Sequence, residues 1–242
     1  MLAKNVFGQY IFLKKAIMRM ASPFTYLRFG VINKNKITGT ELFNELPERN
    51  VLFVSNHQTY FADVACMIHA MGNAKTGKPN QITFFNFFWK PFTNFYYVAA
   101  EETMKSGLIP KIFALTGSIS IKRTWRESGK DIKREVNKSD TDSIEKALKS
   151  GWVITFPQGT TKPFAPGRKG TAHIIKNYKP IVVPIVVDGF RRAFDKKGLF
   201  IKKKGTTLTL TVKQPLKIDY NDTIENILGQ VMDEIEQSSK YQ

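Results

Sequence analysis

Three short apolar runs, residues 51–55, 152–156 and 181–187, constrain this chain more than any other feature of its sequence. Each is compact and closed off by polar or turn-forming residues, which is how a buried strand reads. Residues 118–123 and 206–212 alternate in strand fashion, 37–47 reads as a short strand and turn, and 81–85 is expected to form one further strand. Helical patterns lie between. Residues 61–71 read as a helix. Asp142-Ser-Ile-Glu145 is a capping box opening another, which stops near Gly151, and 224–235 is a closing amphipathic helix. Strands alternating with helices predict an α/β domain with a mixed, largely parallel β-sheet flanked by helices.

The first 36 residues differ from the rest, with seven Lys/Arg and no acid. Val6, Tyr10, Leu13, Ile17 and Met20 follow the spacing of a helix face, widened by Phe7, Ile11 and Met18. Lys4, Lys15 and Arg19 fall opposite. A wide apolar face backed by cations suits a helix lying in the lipid interface. Pro23 is expected to end that helix or start a second. The division that follows is an amphipathic membrane-associating segment, 1–36, and one domain, 37–242. No stretch reaches the roughly 20 apolar residues that span a bilayer, and no signal-peptide pattern is read at the start. The protein is therefore expected to be peripheral.

The formal net charge of +17 draws polyanions: nucleic acid, anionic lipid or an acidic carrier protein. The single cysteine, Cys66, excludes an intrachain disulfide and fits a reducing compartment. With three scattered histidines it makes a poor ligand set, so no metal is expected.

Those histidines can be weighed singly. His69 and His173 both sit on predicted helices and read as structural. His57 directly follows a buried strand, where α/β proteins open their ligand crevice, and Asp63 is the carboxylate near it in sequence. A carboxylate on one ring nitrogen fixes the tautomer and raises the basicity of the other, as a general base requires. After the second apolar run comes Phe156-Pro-Gln-Gly-Thr-Thr161, a tight turn whose amides can cradle an anion. Arg168 and Lys169 then lead basic groups into a helix start. The run Phe84-Phe-Asn-Phe-Phe-Trp89, with Phe92 and Phe95-Tyr-Tyr97, reads as core packing, the wall of an apolar tunnel or a membrane-dipping loop.

In this order the segments resemble the glycerolipid acyltransferase family, which includes 1-acylglycerol-3-phosphate acyltransferases, from about Gly39 to Leu216. Val51-Leu-Phe-Val-Ser-Asn-His57 is similar to the first family motif and Gly117-Ser-Ile-Ser-Ile-Lys-Arg123 to the second. Residues 156–160 with 168–172 resemble the third, and Val182-Val-Pro-Ile185 the fourth. The resemblance implies His57 as general base, Asp63 as its orienting partner, and Lys122, Arg123, Gln158, Gly159, Thr160, Thr161, Arg168 and Lys169 as substrate-binding residues. It implies an acyl-CoA or acyl carrier protein donor as co-substrate, with no other cofactor, and a lysolipid acceptor such as lysophosphatidic acid. The place it implies is the cytoplasmic face of the inner membrane, in phospholipid synthesis.

Two departures stand out. Five residues, not the family's four, separate His57 from Asp63, so the pair requires the extra residue to be absorbed before the helix starts. The third motif's Glu and Arg are replaced by Gln158 and Thr161, which weakens the expected preference for lysophosphatidic acid: either Lys122, Arg123, Lys162, Arg168 or Lys169 compensates, or the acceptor is a lyso-aminolipid or another lysolipid without a phosphomonoester. Two rivals remain: a catalytically impaired lipid-binding relative, and a basic nucleic-acid-binding protein, although no nucleic-acid motif is present.

Overall fold

The computed structural model describes residues 3–105, 107–122, 126–127, 130–131 and 138–242. Seven strands form one sheet: β1 (Lys34–Thr38), β2 (Val51–Ser55), β3 (Phe95–Ala100), β4 (Ser118–Ile121), β7 (Trp152–Thr155), β8 (Ile181–Asp188) and β9 (Thr207–Val212). A two-stranded ribbon, β5 (Arg126–Glu127) and β6 (Lys130–Asp131), stands apart. The order is β1-β9-β8-β2-β7-β3-β4, and every neighbouring pair is parallel except β8 and β9.

The three apolar runs of the sequence are the middle of this sheet. Val54 lies opposite Thr155 on one side and Pro184 on the other, and all of β2 is buried. Its side chains alternate between two apolar layers. Val51 and Phe53 face a core with Trp152, Phe43 and helices α1 (Ile11–Tyr26) and α2 (Ala62–Lys75). Leu52 and Val54 face a second core with α6 (Lys138–Ser150), α7 (Lys169–Tyr178) and α9 (Ile224–Glu234). Shorter helices complete the layers: α3 (Phe84–Trp89), α4 (Glu101–Lys105), α5 (Leu108–Ala114) and α8 (Phe190–Ala193).

The N-terminal segment departs from expectation. The helix starts at Ile11, not near Val6, and runs through Pro23 before widening into a π-helical turn, Leu27–Val31. A proline lacks the N–H for the preceding turn, so the widening follows where the ladder has lost a bond. Its inward residues are Lys14, Met18 and Ser22, while Phe12, Met20, Phe24 and Leu27 are exposed. The Lys14 ammonium donates to the Phe95 carbonyl at 2.6 Å and lies 3.7 Å from the centre of the Phe95 ring. Burial pushes it down to about 7. Gly117, at φ +112, permits this, because a Cβ there would lie 2.8 Å from Lys14 Nζ and from the Phe95 carbonyl oxygen. The segment is continuous with the rest: Met18 and Phe29 belong to the first core, and β1 crosses the boundary expected at residue 36.

Residues 81–83 do not join the sheet. Asn73 Nδ2 donates to the Gln81 carbonyl at 2.9 Å, and His69 Nε2 bonds the Thr83 carbonyl at 2.8 Å. Side chains of α2 thus take the role a neighbouring strand would play, and the aromatic run begins α3 at Phe84. A carbonyl only accepts, so Nε2 of His69 carries the proton and Nδ1 accepts from Thr25 Oγ1 at 2.9 Å. This histidine ties α1 to α2.

Burial pushes His69 down to about 4, only partly offset by the Thr83 carbonyl. The folded state therefore takes up its proton less readily than the unfolded chain, where the ordinary value is 6.5. Its contribution is intact above pH 6.5 and is lost as pH falls towards 4, amounting to about 3 kcal/mol. Urea unfolding of the wild type and His69→Gln across that range checks this. The wild type should lose stability more steeply; parallel curves would contradict it.

Candidate active site

The parallel arrangement puts the carboxyl ends of β2, β3, β4 and β7 along one edge of the sheet, and the candidate residues gather there. His57 follows β2. Its neighbours are clamped to β8. Asn56 exchanges two hydrogen bonds with the Val187 backbone, both 2.8 Å. Gln58 Nε2 donates to Asp188 Oδ1 at 3.1 Å, and Gln58 Oε1 accepts from the Arg191 amide at 3.2 Å.

His57 Nδ1 lies 3.0 Å from Asp63 Oδ2. The extra residue is taken up in the loop, for α2 begins only at Ala62. Every amide from Gln58 to Val64 has an acceptor. Those of Gln58 and Thr59 donate to Asp63 Oδ2 at 2.7 and 3.2 Å, and that of Val64 to Oδ1 at 3.0 Å. Those of Ala62 and Asp63 donate to Thr59 Oγ1 at 3.1 and 3.4 Å. Those of Tyr60 and Phe61 donate to the Lys196 and Lys197 carbonyls at 3.1 and 3.0 Å. A loop with no open amide has little freedom to reposition its side chains.

Asp63 is fully buried. Burial alone would raise its carboxyl; the nearby His57 and the Gln58 and Thr59 amides outweigh that and hold it below the ordinary carboxylate value. A carboxylate accepts, so Nδ1 of His57 carries a proton towards it and Nε2 is left with the lone pair. The imidazole is stacked on Phe156, with centroids 3.9 Å apart and planes 22° from parallel.

His57 lines a cavity of about 660 Å³. Its lining includes apolar residues, Ile17, Met18 and Ala21 of α1, Val64 and Ile68 of α2, and Phe95 and Tyr97 of β3. It also includes Lys122, Gly159, Thr160, Thr161, Arg168, Lys169 and His173. The candidate residues do not all meet there. Gln158 turns away from the cavity: it is buried, and its amide donates to the Ala165 carbonyl at 2.9 Å and to Gln237 Oε1 at 3.2 Å. It shapes the 157–168 loop from behind. Lys169 is paired with Glu225 of α9. Arg123 lies outside the described residues.

Three features escaped the sequence reading. Helix α1, read as a membrane-associating helix, also walls the cavity; its half-buried Ile17, Ala21 and Thr25, beside the buried stripe, recur at four-residue intervals, a legible signal. His173 is exposed and is among the residues lining the cavity. Arg191 reaches the Thr161 carbonyl at 2.5 Å and brings a guanidinium to the turn ending at Thr161.

Residues 34–188 match the family model Acyltransferase. No curated protein matches the chain. Among solved structures, the crystal structure of the 1-acyl-sn-glycerophosphate acyltransferase PlsC from Thermotoga maritima superposes with a TM-score of 0.52 at 16% identity, covering 93% of this chain and 76% of that one. At that identity the likeness is one of fold, and the two share the α/β architecture with its N-terminal helix. The family match extends over most of the sheet and both strands that carry the candidate site, and the chain belongs to the acyltransferase family.

Proposed function

We propose that this acyltransferase moves a fatty acyl group from a thioester, acyl-CoA or an acyl carrier protein, to the hydroxyl of a lysolipid. His57 acts as general base and Asp63 orients it. The observation carrying this reading is the 3.0 Å contact between His57 and Asp63 in the wall of a cavity lined by both apolar and basic residues. The acceptor hydroxyl donates to His57 Nε2 and attacks the thioester carbonyl carbon as its proton moves to the imidazole. The tetrahedral intermediate collapses with cleavage of the C–S bond, and the thiolate leaves with the proton from His57. No acyl-enzyme forms. Cys66 suits this route, since burial pushes its thiol up, away from the thiolate form. The apolar lining suits an acyl chain. Lys122, Thr160, Thr161 and Arg168 line the same cavity and suit the acceptor's head group.

The acceptor is a lysophosphatidate or a related lysolipid. Thr161 favours the second, a lyso-aminolipid, because a hydroxyl cannot form the bidentate contact that a phosphomonoester takes from arginine. Arg123, Arg168 and Arg191 are the alternatives for phosphate. The exposed Phe12, Met20, Phe24, Leu27 and Trp89, with Lys15 and Arg19, support docking on an anionic membrane. Among the described residues no helix is long and apolar enough to cross one. We place the protein peripherally, on the cytoplasmic face of the inner membrane, and assign it no nucleic-acid partner.

A panel assay tests the reading. Acyl-CoA and acyl carrier protein thioesters are offered with lysophosphatidate, lyso-aminolipid and other lysolipids. Transfer to a lysolipid that disappears in His57→Ala is expected, with lyso-aminolipid preferred. Strict dependence on lysophosphatidate would reject the altered acceptor, and lipid binding without transfer to any acceptor would reject the enzyme.

A further inference from the structure

We propose that the turn at residues 195–198 is a brace that sets the geometry of the His57–Asp63 pair, with Gly198 as its positioning residue and Arg28 as its anchor. This rests on the reading of His57 as the base. Tyr60 and Phe61 lie outside both β2 and α2, and their amides donate across the molecule to the Lys196 and Lys197 carbonyls. The two hydrogen bonds hold this stretch on the path that returns Asp63 to His57.

The approach is close enough to exclude a side chain. At Gly198, φ is +78, and a Cβ would lie 2.6 Å from the Ala62 amide nitrogen, 2.8 Å from Ala62 Cβ and 2.8 Å from Thr59 Oγ1. Thr59 Oγ1 is the atom that accepts from the Ala62 and Asp63 amides and also lies 3.4 Å from Asp63 Oδ1. Pressure on it moves the start of α2 and the carboxylate together.

The turn is itself rigid. Asp195 Oδ1 accepts from the Leu199 and Phe200 amides at 2.7 and 2.9 Å, and the Asp195 carbonyl from the Gly198 amide at 2.8 Å. Arg28, in the π-helical turn after α1, closes the circuit. Its guanidinium donates to the Gly198 carbonyl at 2.8 Å and lies 4.7 Å from the centre of the Phe194 ring. The segment that walls the cavity is thereby connected to the loop carrying the base.

The test compares Gly198→Ala, Arg28→Met and Arg28→Lys with a control, Gly205→Ala. Gly205 also has a positive φ, +68, but a Cβ there meets nothing within 4 Å. With each variant's fold checked by circular dichroism, kcat should fall about 10²-fold in Gly198→Ala and about 10-fold in Arg28→Met, with KM unchanged. Arg28→Lys, which keeps a donor, should recover to within about threefold of the wild type, and Gly205→Ala to within about twofold. Hydrogen exchange at the Tyr60 and Phe61 amides, read without any substrate, should quicken in the first two variants only. Wild-type kcat and exchange in both, a rise in KM alone, or an equal loss in Gly205→Ala overturns the brace. If Gly198→Ala does not fold, the Arg28 pair decides. An active His57→Ala would instead overturn the assignment of the base; an inactive one beside fully active brace variants would overturn the brace alone.

Discussion

His57→Ala is expected to lower kcat for acyl transfer by about 10²–10⁴-fold, the range a positioned general base contributes. The fold should survive. The imidazole stands at the cavity wall, and its contacts are the Asp63 carboxylate and the face of Phe156. With it gone, Asp63 still accepts from the amides of Gln58, Thr59 and Val64, so no buried charge is stranded. Steady-state kinetics beside urea midpoints measures both effects. Wild-type turnover in a folded variant would end the assignment of His57.

Asp63→Asn is expected to damage both activity and stability. An amide commonly substitutes for a carboxylate with little disturbance, but not here, since both carboxylate oxygens accept from the backbone. Oδ2 takes the Gln58 and Thr59 amides and His57 Nδ1, while Oδ1 takes the Val64 amide. Whichever way the asparagine turns, its NH₂ group faces an N–H donor. Leaving such a buried donor without its acceptor costs about 1–3 kcal/mol. The imidazole also loses the acceptor that fixes its tautomer, and kcat should fall by about 10²-fold or more. Thermal unfolding and turnover should change together; loss of activity at unchanged stability would contradict this account. The pH windows separate Asp63 from His69. The Asp63 carboxyl is held below its ordinary value of 3.8, so its contribution is complete at neutral pH and lost only in stronger acid. That of His69 begins to fail below 6.5.

Much of the sheet was legible because its central strands are short apolar runs bounded by polar loops. Strands β2, β7 and β8 fall where residues 51–55, 152–156 and 181–187 placed them, and α9 where 224–235 did. The position of His57 beyond a strand end followed from the same pattern. Periodicity served less well in α1. It groups residues on a face but does not say which face turns inward, and Lys14 went in because a carbonyl and an aromatic ring were there to receive its ammonium. Residues 81–83 were misread because α2 side chains supply their partners, a satisfaction no local pattern records. Gln158 kept its place in the turn but faces Ala165 and Gln237, the latter far away in sequence. The 195–198 turn lay beyond reach for the same reason.

The clamps around His57 also bear on how the chain folds. Asn56 is tied to a partner 131 residues away, Gln58 to one 130 residues away, and the turn that receives the Tyr60 and Phe61 amides is anchored by a bond spanning 170 residues. Contacts of such separation form late, because chain closure must precede them, and parallel pairing slows their assembly further. A partly folded intermediate can therefore hold helices and nascent strands while lacking the catalytic geometry altogether. Recovery of turnover during refolding would then time the closing step of assembly, after the spectroscopic signals of secondary structure have already returned.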